Sequence, residues 1–139
     1  MKIHGRFAGS SNTTVLATCT LDDHELLAVY KPGRGERPLW DFPPDIYKRE
    51  VAAFALSQAL GWGIVPETVQ RDDAPLGPGS VQRLVPEDGA SHYFTLCEEG
   101  RWRQTLMTIA AFDVVANNAD RKSGHVLMAE GRLWAIDHG

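Results

Sequence analysis

An α+β fold is what the sequence predicts, on two observations. Extended runs of β-branched and apolar residues give way to stretches whose apolar residues recur at helical spacing, and no internal repeat is visible. The segments run three strands, a helix, two strands, a helix, a polar loop and a hairpin. Alternating βαβ units, which would build a doubly wound sheet, are absent. Residues 2–8, 13–20 and 25–31 are the first extended runs, broken by "GSSN" and "LDDH", and read as an antiparallel meander. "KPGRGERPLWDFPPD" follows and is too rich in Gly and Pro for regular structure. In "DIYKREVAAFALSQALGWG" apolar residues at 51, 52, 55, 56, 59 and 60 mark a helical face, with Asp45 as N-cap and Gly61 as C-terminal stop. "GIVPETVQR" and "GSVQRLVP" are extended runs joined by a hairpin or wide turn in "DDAPLGPG". "EDGASHYFTLCEEG" carries no decisive pattern. A second helix is expected over 101–116, burying Leu106, Ile109, Ala110 and Val114. The chain closes with "HVLM", a turn at Glu130-Gly131, and "RLWAID".

With 139 residues the chain fits one domain, or one and a half small ones. Hydrophobic residues make up 43% and charged ones 23%, an ordinary globular balance that leaves no apolar run long enough for a membrane span. The first residues lack the apolar core of a signal peptide, so the cytoplasm is the default address. A net charge of −4 without a Lys/Arg run argues against a nucleic-acid-coating protein, so no nucleic-acid partner is expected. Phosphate can still be bound locally, through a few basic groups and backbone amides. Cys19 and Cys97 show neither disulfide-framework nor CxxC spacing, and the five histidines form no HxxxH or HExxH pattern, which argues against a structural zinc site.

The polar loop is where chemistry concentrates. Asn117, Asn118, Asp120, Arg121, Lys122 and His125 sit between an apolar helix and an apolar hairpin, the rigid supports on which catalytic groups are carried. The hairpin returns the chain to its start, since paired strands lie about 4.8 Å apart. A two-residue turn sets His125 opposite Ile136; a three-residue turn sets it opposite Asp137. In both cases Asp120, His125 and Asp137 converge. Two carboxylates and a neighbouring ligand suit Mg²⁺, which prefers oxygen and keeps substrate phosphates in its shell. Phosphoryl transfer uses such an ion, together with a carboxylate that orients the acceptor hydroxyl. Singly, Asn117, Asn118 and Asp120 are equally well helix and turn caps, and Asp137 a solvated strand end. Jointly they point to metal-phosphate chemistry.

Asp120-Arg121, a ligand position five residues on, a hairpin and then Ile136-Asp137-x-Gly resemble the core of phosphatidylinositol 3-/4-kinase-like enzymes, whose pattern is DRxxxN, hairpin, (I/D)DFG. "YKPGRGERPLWDFP", "REVAAF", "LGWGIVPETV", "LGPGSVQRLVP" and "NNADRKSGHVL...GRLWAIDHG" resemble more closely an uncharacterised actinobacterial family of that superfamily, with HipA-type kinases more distant. The resemblance implies a protein-kinase-like fold: an antiparallel-sheet N-lobe over residues 1–86 and, over 87–139, the beginning of a helical C-lobe with its catalytic loop. It implies a kinase using ATP and Mg²⁺. "AGSSNTT", with Ser10, Ser11 and Asn12, would cover the phosphates. Lys31 would hold them, with Glu50 as its partner. Gln82, Arg83, Leu84 and Val85, in "VQRLVP", would line the linker whose backbone meets adenine. Asp120 would be the catalytic carboxylate, and Asp137 with His125 the metal ligands. Outside the resemblance, Lys31 reads as a solvated strand end, Glu50 as a favourable charge near a helix N-terminus, and "VQRLVP" as a buried strand.

Two departures bear on that expectation. His125 replaces the usual Asn, and imidazole is a poorer ligand for Mg²⁺ than for Mn²⁺ or Zn²⁺, so it favours another ion or contacts phosphate. Asp-His-Gly replaces Asp-Phe-Gly, which is expected to remove an apolar anchor. The chain also stops where such enzymes continue into an activation segment and further helices. The expectation is therefore the front part of a longer kinase, inactive by itself, with Asp137 loosely held and the second helix short of cover. A non-catalytic nucleotide-binding pseudokinase or scaffold is the alternative. A metal-dependent hydrolase is weaker, because it gives Lys31 and Glu50 no role. The expected acceptor is a hydroxyl, and protein, small molecule and lipid all stay open; the first two are favoured because the sequence shows no membrane-seeking helix or basic patch.

Overall fold

The computed structural model describes residues 1–7, 12–34, 36, 44–89 and 93–139. The chain divides into two compact units, one of Met1–Ala52, Glu67–Leu84 and Gly139, the other of Ala53–Pro66 and Val85–His138.

In the first unit β1 (Lys2–Arg6), β2 (Val15–Leu21), β3 (His24–Pro32), β4 (Thr68–Arg71) and β5 (Gly79–Arg83) form one antiparallel sheet of order β1-β2-β3-β5-β4. With the helices below, this makes the protein α+β, an arrangement compatible with a kinase-like sheet lobe and a partial helical lobe. The expected meander is β1–β3, and the two later runs form a hairpin that joins it through pairing of β5 with β3. One face buries Val15, Ala17, Ala28, Tyr30 and Val81, with Ala74 packed among them. Gly79 allows β5 its close approach: a Cβ there would stand 2.4 Å from the Lys31 carbonyl oxygen and 2.7 Å from the Tyr30 ring. Of the expected phosphate-covering stretch 8–14, residues 8–11 lie outside the described residues, Ser10 and Ser11 among them.

Helix α1 spans Tyr47–Ala59. Its N-terminus differs from the expected cap. Asp45 has a left-handed backbone (φ 69°) and its side chain holds Lys48 Nζ at 2.7 Å. The amides of Ile46 and Tyr47 donate instead to the carboxylate of Glu36, at 2.9 and 2.7 Å. An acidic group across two orphan amides satisfies them and the helix dipole together. At the other end Gly61 (φ 67°) is the stop, with Gly61 N–H donating to Gln58 O and Trp62 N–H to Ser57 O, the paired bonds of a Schellman ending.

The buried face of α1 also differs from the expected one. Ala52, Ala55, Ala59 and Leu60 are exposed, whereas Tyr47 and Glu50 in the first unit and Ala53 and Ser57 in the second are buried. The stripe keeps helical spacing, but two of its members are polar and partnered, so hydropathy alone rotates the inferred face away from it.

In the second unit α2 (Tyr93–Glu98), a 3₁₀ turn (Gly100–Trp102) and α3 (Arg103–Val115) precede a second 3₁₀ turn (Ser123–His125) and the hairpin of β6 (Val126–Ala129) and β7 (Arg132–Ala135). The core gathers Ile64, Val65, Leu96, Ile109, Phe112, Val126, Leu133 and Ala135. Ser57 Oγ accepts from the amides of Ile64 and Val65, which ties the residues after α1 to that helix. Expectation and structure part again on α3. Ile109 is buried and Leu106 half-buried, but Ala110 is exposed and Val114 is 81% exposed, while Phe112 is fully buried. The inward face therefore runs through Leu106, Ile109, Phe112, Asp113 and Ala116, and Asp113 turns inward because Arg121 meets it. The β6–β7 turn has two residues, Glu130 (φ 54°) and Gly131 (φ 71°), the left-handed pair of a tight hairpin.

Candidate functional site

Each unit carries its own group of candidate residues. In the first, side chains two residues apart along a strand share a face, so Lys31 stands beside Val29 and opposite the face of Tyr30. Leu16, Val29, Gln82 and Thr68 form one row across four strands on the Lys31 face. Leu16 and Val29 are half-buried, while Gln82 is buried and donates to Thr68 Oγ1 at 2.9 Å. The row presents a small apolar surface next to a cation. Leu16 and Val29 were missed in the sequence, although their spacing from Lys31 and pairing across the meander could have found them.

Glu50 projects from α1 onto the same face and forms an ion pair with Lys31. Its side chain is only 2% exposed, against 22% for Lys31. The second carboxylate oxygen, Oε2, is buried and meets no hydrogen-bond partner among the described residues. A carboxylate buried this deeply is tolerated because a cation neutralises it, and the lysine is in turn held as a localised positive charge. Neither the solvated strand end nor the plain helix-terminal charge describes this pair.

The linker residues divide. Arg83 N–H donates to Glu67 O at 2.8 Å and Leu84 N–H to Leu27 O at 2.9 Å, so both amides are spent within the first unit. Arg83 Nε holds Glu67 at 2.6 Å. Val85 belongs to the second unit, where its side chain is buried against Ala129 and Trp134. Asn12 is half-buried, and its carbonyl accepts from Thr14 Oγ1 at 3.4 Å.

In the second unit the register settles the position of His125. Val126 pairs with Ala135, and Ile136 N–H donates to His125 O at 2.9 Å, the outcome of a two-residue turn. Asp137 has a left-handed backbone (φ 62°), and His125 Nε2 lies 3.1 Å from Asp137 Oδ2. The amide of Lys122 approaches His125 Nδ1 at 3.4 Å, so Nδ1 is the acceptor and Nε2 carries the proton shared with Asp137. Asp120 is 81% exposed and pairs with Lys122 Nζ at 3.0 Å. The Lys122 ammonium is held above the ordinary lysine value, first by this hydrogen bond, then by the Asp120 charge, with Asp137 adding to it.

Arg121, beside Asp120, ties several parts of this unit together. Its Nε and Nη2 grip the Asp113 carboxylate at 2.9 and 2.7 Å. Nη1 donates to the carbonyls of His125, at 3.3 Å, and Ile136. Nη2 also meets His138 Nδ1 at 3.2 Å, while His138 Nε2 meets Ala135 O at 3.2 Å. His138 is 3% exposed and its ring packs edge-on against Phe112, 5.5 Å between centroids. The expected loss of an anchor at Asp-His-Gly is thus corrected: the imidazole fills an apolar position and adds a polar contact to Arg121. Asn118 joins the group by donating to Asp113 at 3.3 Å.

Adjacent ligands of an octahedral Mg²⁺ or Mn²⁺ at about 2.1 Å stand roughly 3 Å apart. His125 Nε2 and Asp137 Oδ2 have that spacing, and one imidazole with one carboxylate suits Mn²⁺ better than Mg²⁺. Among the described residues no three His, Cys, Asp or Glu side chains are grouped as a metal site. A metal on this pair would draw its other ligands from water and phosphate oxygens. No helix among the described residues is long and apolar enough to cross a membrane.

No family model matches the chain. It is similar to Protein Rv2133c of Mycobacterium tuberculosis (strain ATCC 25618 / H37Rv), 35% identical over 176 aligned positions that cover 100% of this chain and 62% of the relative. The chain therefore spans about three-fifths of that protein's length.

Proposed function

We propose that this chain is the nucleotide-binding part of an ATP-dependent phosphotransferase acting on a hydroxyl acceptor. The observation that carries the reading is the Lys31–Glu50 pair: a lysine on a sheet face beside apolar Leu16 and Val29, held by a carboxylate 2% exposed. A fixed ammonium next to an apolar strip suits a phosphate chain that continues into a planar base. In the other unit Asp137 and His125 would hold Mg²⁺ or Mn²⁺, the kind of ion that phosphoryl transfer uses to neutralise developing charge. Asp120, exposed and paired with Lys122, would orient the acceptor hydroxyl and take its proton. The resemblance to phosphatidylinositol 3-/4-kinase-like enzymes supports the same division of roles. A protein or small-molecule acceptor and a cytoplasmic setting go with the reading, because neither a basic patch nor a membrane-seeking helix favours lipid.

Binding of nucleotide without transfer is the second reading. His125 in place of Asn, and the pairing of Asp120 with Lys122, favour it.

Calorimetric titration of Mg-ATP and Mn-ATP into the chain tests the proposal, with Lys31→Ala and Asp137→Asn alongside and circular dichroism as the folding control. Binding that weakens in both variants supports it. No binding by a folded wild-type chain refutes it. Incubation with labelled ATP and candidate acceptors then separates the readings, since the second gives no labelled product.

A further inference from the structure

We infer that Arg121 is a positioning residue that sets the geometry of Asp137, and so the metal affinity of the second unit; this rests on Asp137 being the metal carboxylate proposed above. The two residues flanking Asp137 are both held by one guanidinium, through the carbonyl of Ile136 and through Nδ1 of His138 at 3.2 Å. Between them Asp137 adopts a left-handed backbone (φ 62°), uncommon for a non-glycine residue although Asp tolerates it better than most. The same guanidinium holds the carbonyl of His125, the other half of the ligand pair, at 3.3 Å. Its anchor is Asp113 on α3, gripped by two parallel bonds at 2.9 and 2.7 Å. Such fork-to-fork pairs fix direction as well as distance, and a lysine ammonium cannot reproduce them. The buried ring of His138, braced edge-on by Phe112, keeps the acceptor aimed at Arg121. Helix α3 thereby dictates, through one side chain, where the Asp137 carboxylate stands relative to His125 Nε2.

The test compares wild type with Arg121→Lys, and with Asp113→Asn, which removes the anchor while leaving Arg121 in place. Two readouts are taken: amide hydrogen exchange at Asp137 and His138 without ligand, and affinity for ATP with and without Mn²⁺. Loss of a partner that orients a metal ligand is expected to weaken the Mn²⁺-dependent affinity by about 10- to 100-fold. Affinity for metal-free ATP should stay unchanged, which a general structural defect would not allow. Exchange at Asp137 and His138 should quicken while the amides of Val126–Ala135 keep their protection. Wild-type Mn-ATP affinity and unaltered exchange in a folded variant would overturn the inference. Should Arg121→Lys fail to fold, Asp113→Asn decides by the same criteria. A wild-type chain that binds no nucleotide sinks the proposed function instead, and the exchange readout alone then decides whether Arg121 sets Asp137.

Discussion

Replacing Lys31 with Met keeps the length and apolar stem of the side chain but removes its charge. Glu50, 2% exposed and with no partner for Oε2 among the described residues, is then a buried carboxylate stripped of its ion-pair partner. Breaking a buried pair from one side costs about 3–5 kcal/mol. Adding Glu50→Gln, which removes the stranded charge, should restore most of the loss. Urea unfolding of the wild type, both single variants and the double variant measures this. A Lys31→Met loss below about 1 kcal/mol, or a double variant no more stable than Lys31→Met, would refute the account of the pair.

Three further outcomes follow from the same structure. Gly79→Ala places a Cβ 2.4 Å from the Lys31 carbonyl and 2.8 Å from Pro32 Cα, so β5 must move off β3; a loss of about 2–3 kcal/mol in unfolding free energy is expected, and a neutral effect would contradict the close approach. Glu36→Ala strips the carboxylate from the amides of Ile46 and Tyr47 and should lower stability by about 1 kcal/mol, read as a drop in thermal midpoint. Burial holds the Tyr30 phenol above its ordinary value, and its hydroxyl donates to Gly77 O, so its contribution of about 1 kcal/mol persists below pH 10 and is lost as pH rises through the raised value. Tyr30→Phe should remove that alkaline step from a stability-versus-pH curve.

Where local chemistry dictates the outcome, the sequence was sufficient. Runs of β-branched and apolar residues marked the meander, Gly61 ended α1, and Glu130-Gly131 marked the hairpin turn, because strand propensity, left-handed backbone and turn geometry depend on neighbouring residues. The α+β class followed from the order of segments, whereas the pairing of β5 with β3 and the two-residue length of the turn came from the structure. The helix faces were not legible. Hydropathy assigns burial by residue type, yet α1 turns Glu50 and Ser57 inward because distant partners, Lys31 and the amides of Ile64 and Val65, satisfy them. Likewise α3 exposes Val114 and turns Asp113 inward, since Arg121 from the loop beyond supplies its hydrogen bonds.

Residue types and spacing singled out Asp120, His125 and Asp137; the resemblance alone pointed to Lys31 with Glu50 as its partner, and it supplied the roles. Tertiary structure decided what stayed open: how deeply Glu50 is buried in its pair with Lys31, that His125 Nε2 meets Asp137, and that Asp120 pairs with Lys122. The Glu36 cap, and the Arg121 contacts to Asp113, Ile136 and His138, left no pattern in the chain at all. A hydrogen bond between residues far apart in sequence imposes no period on the residues between them, so nothing in the one-dimensional order records it.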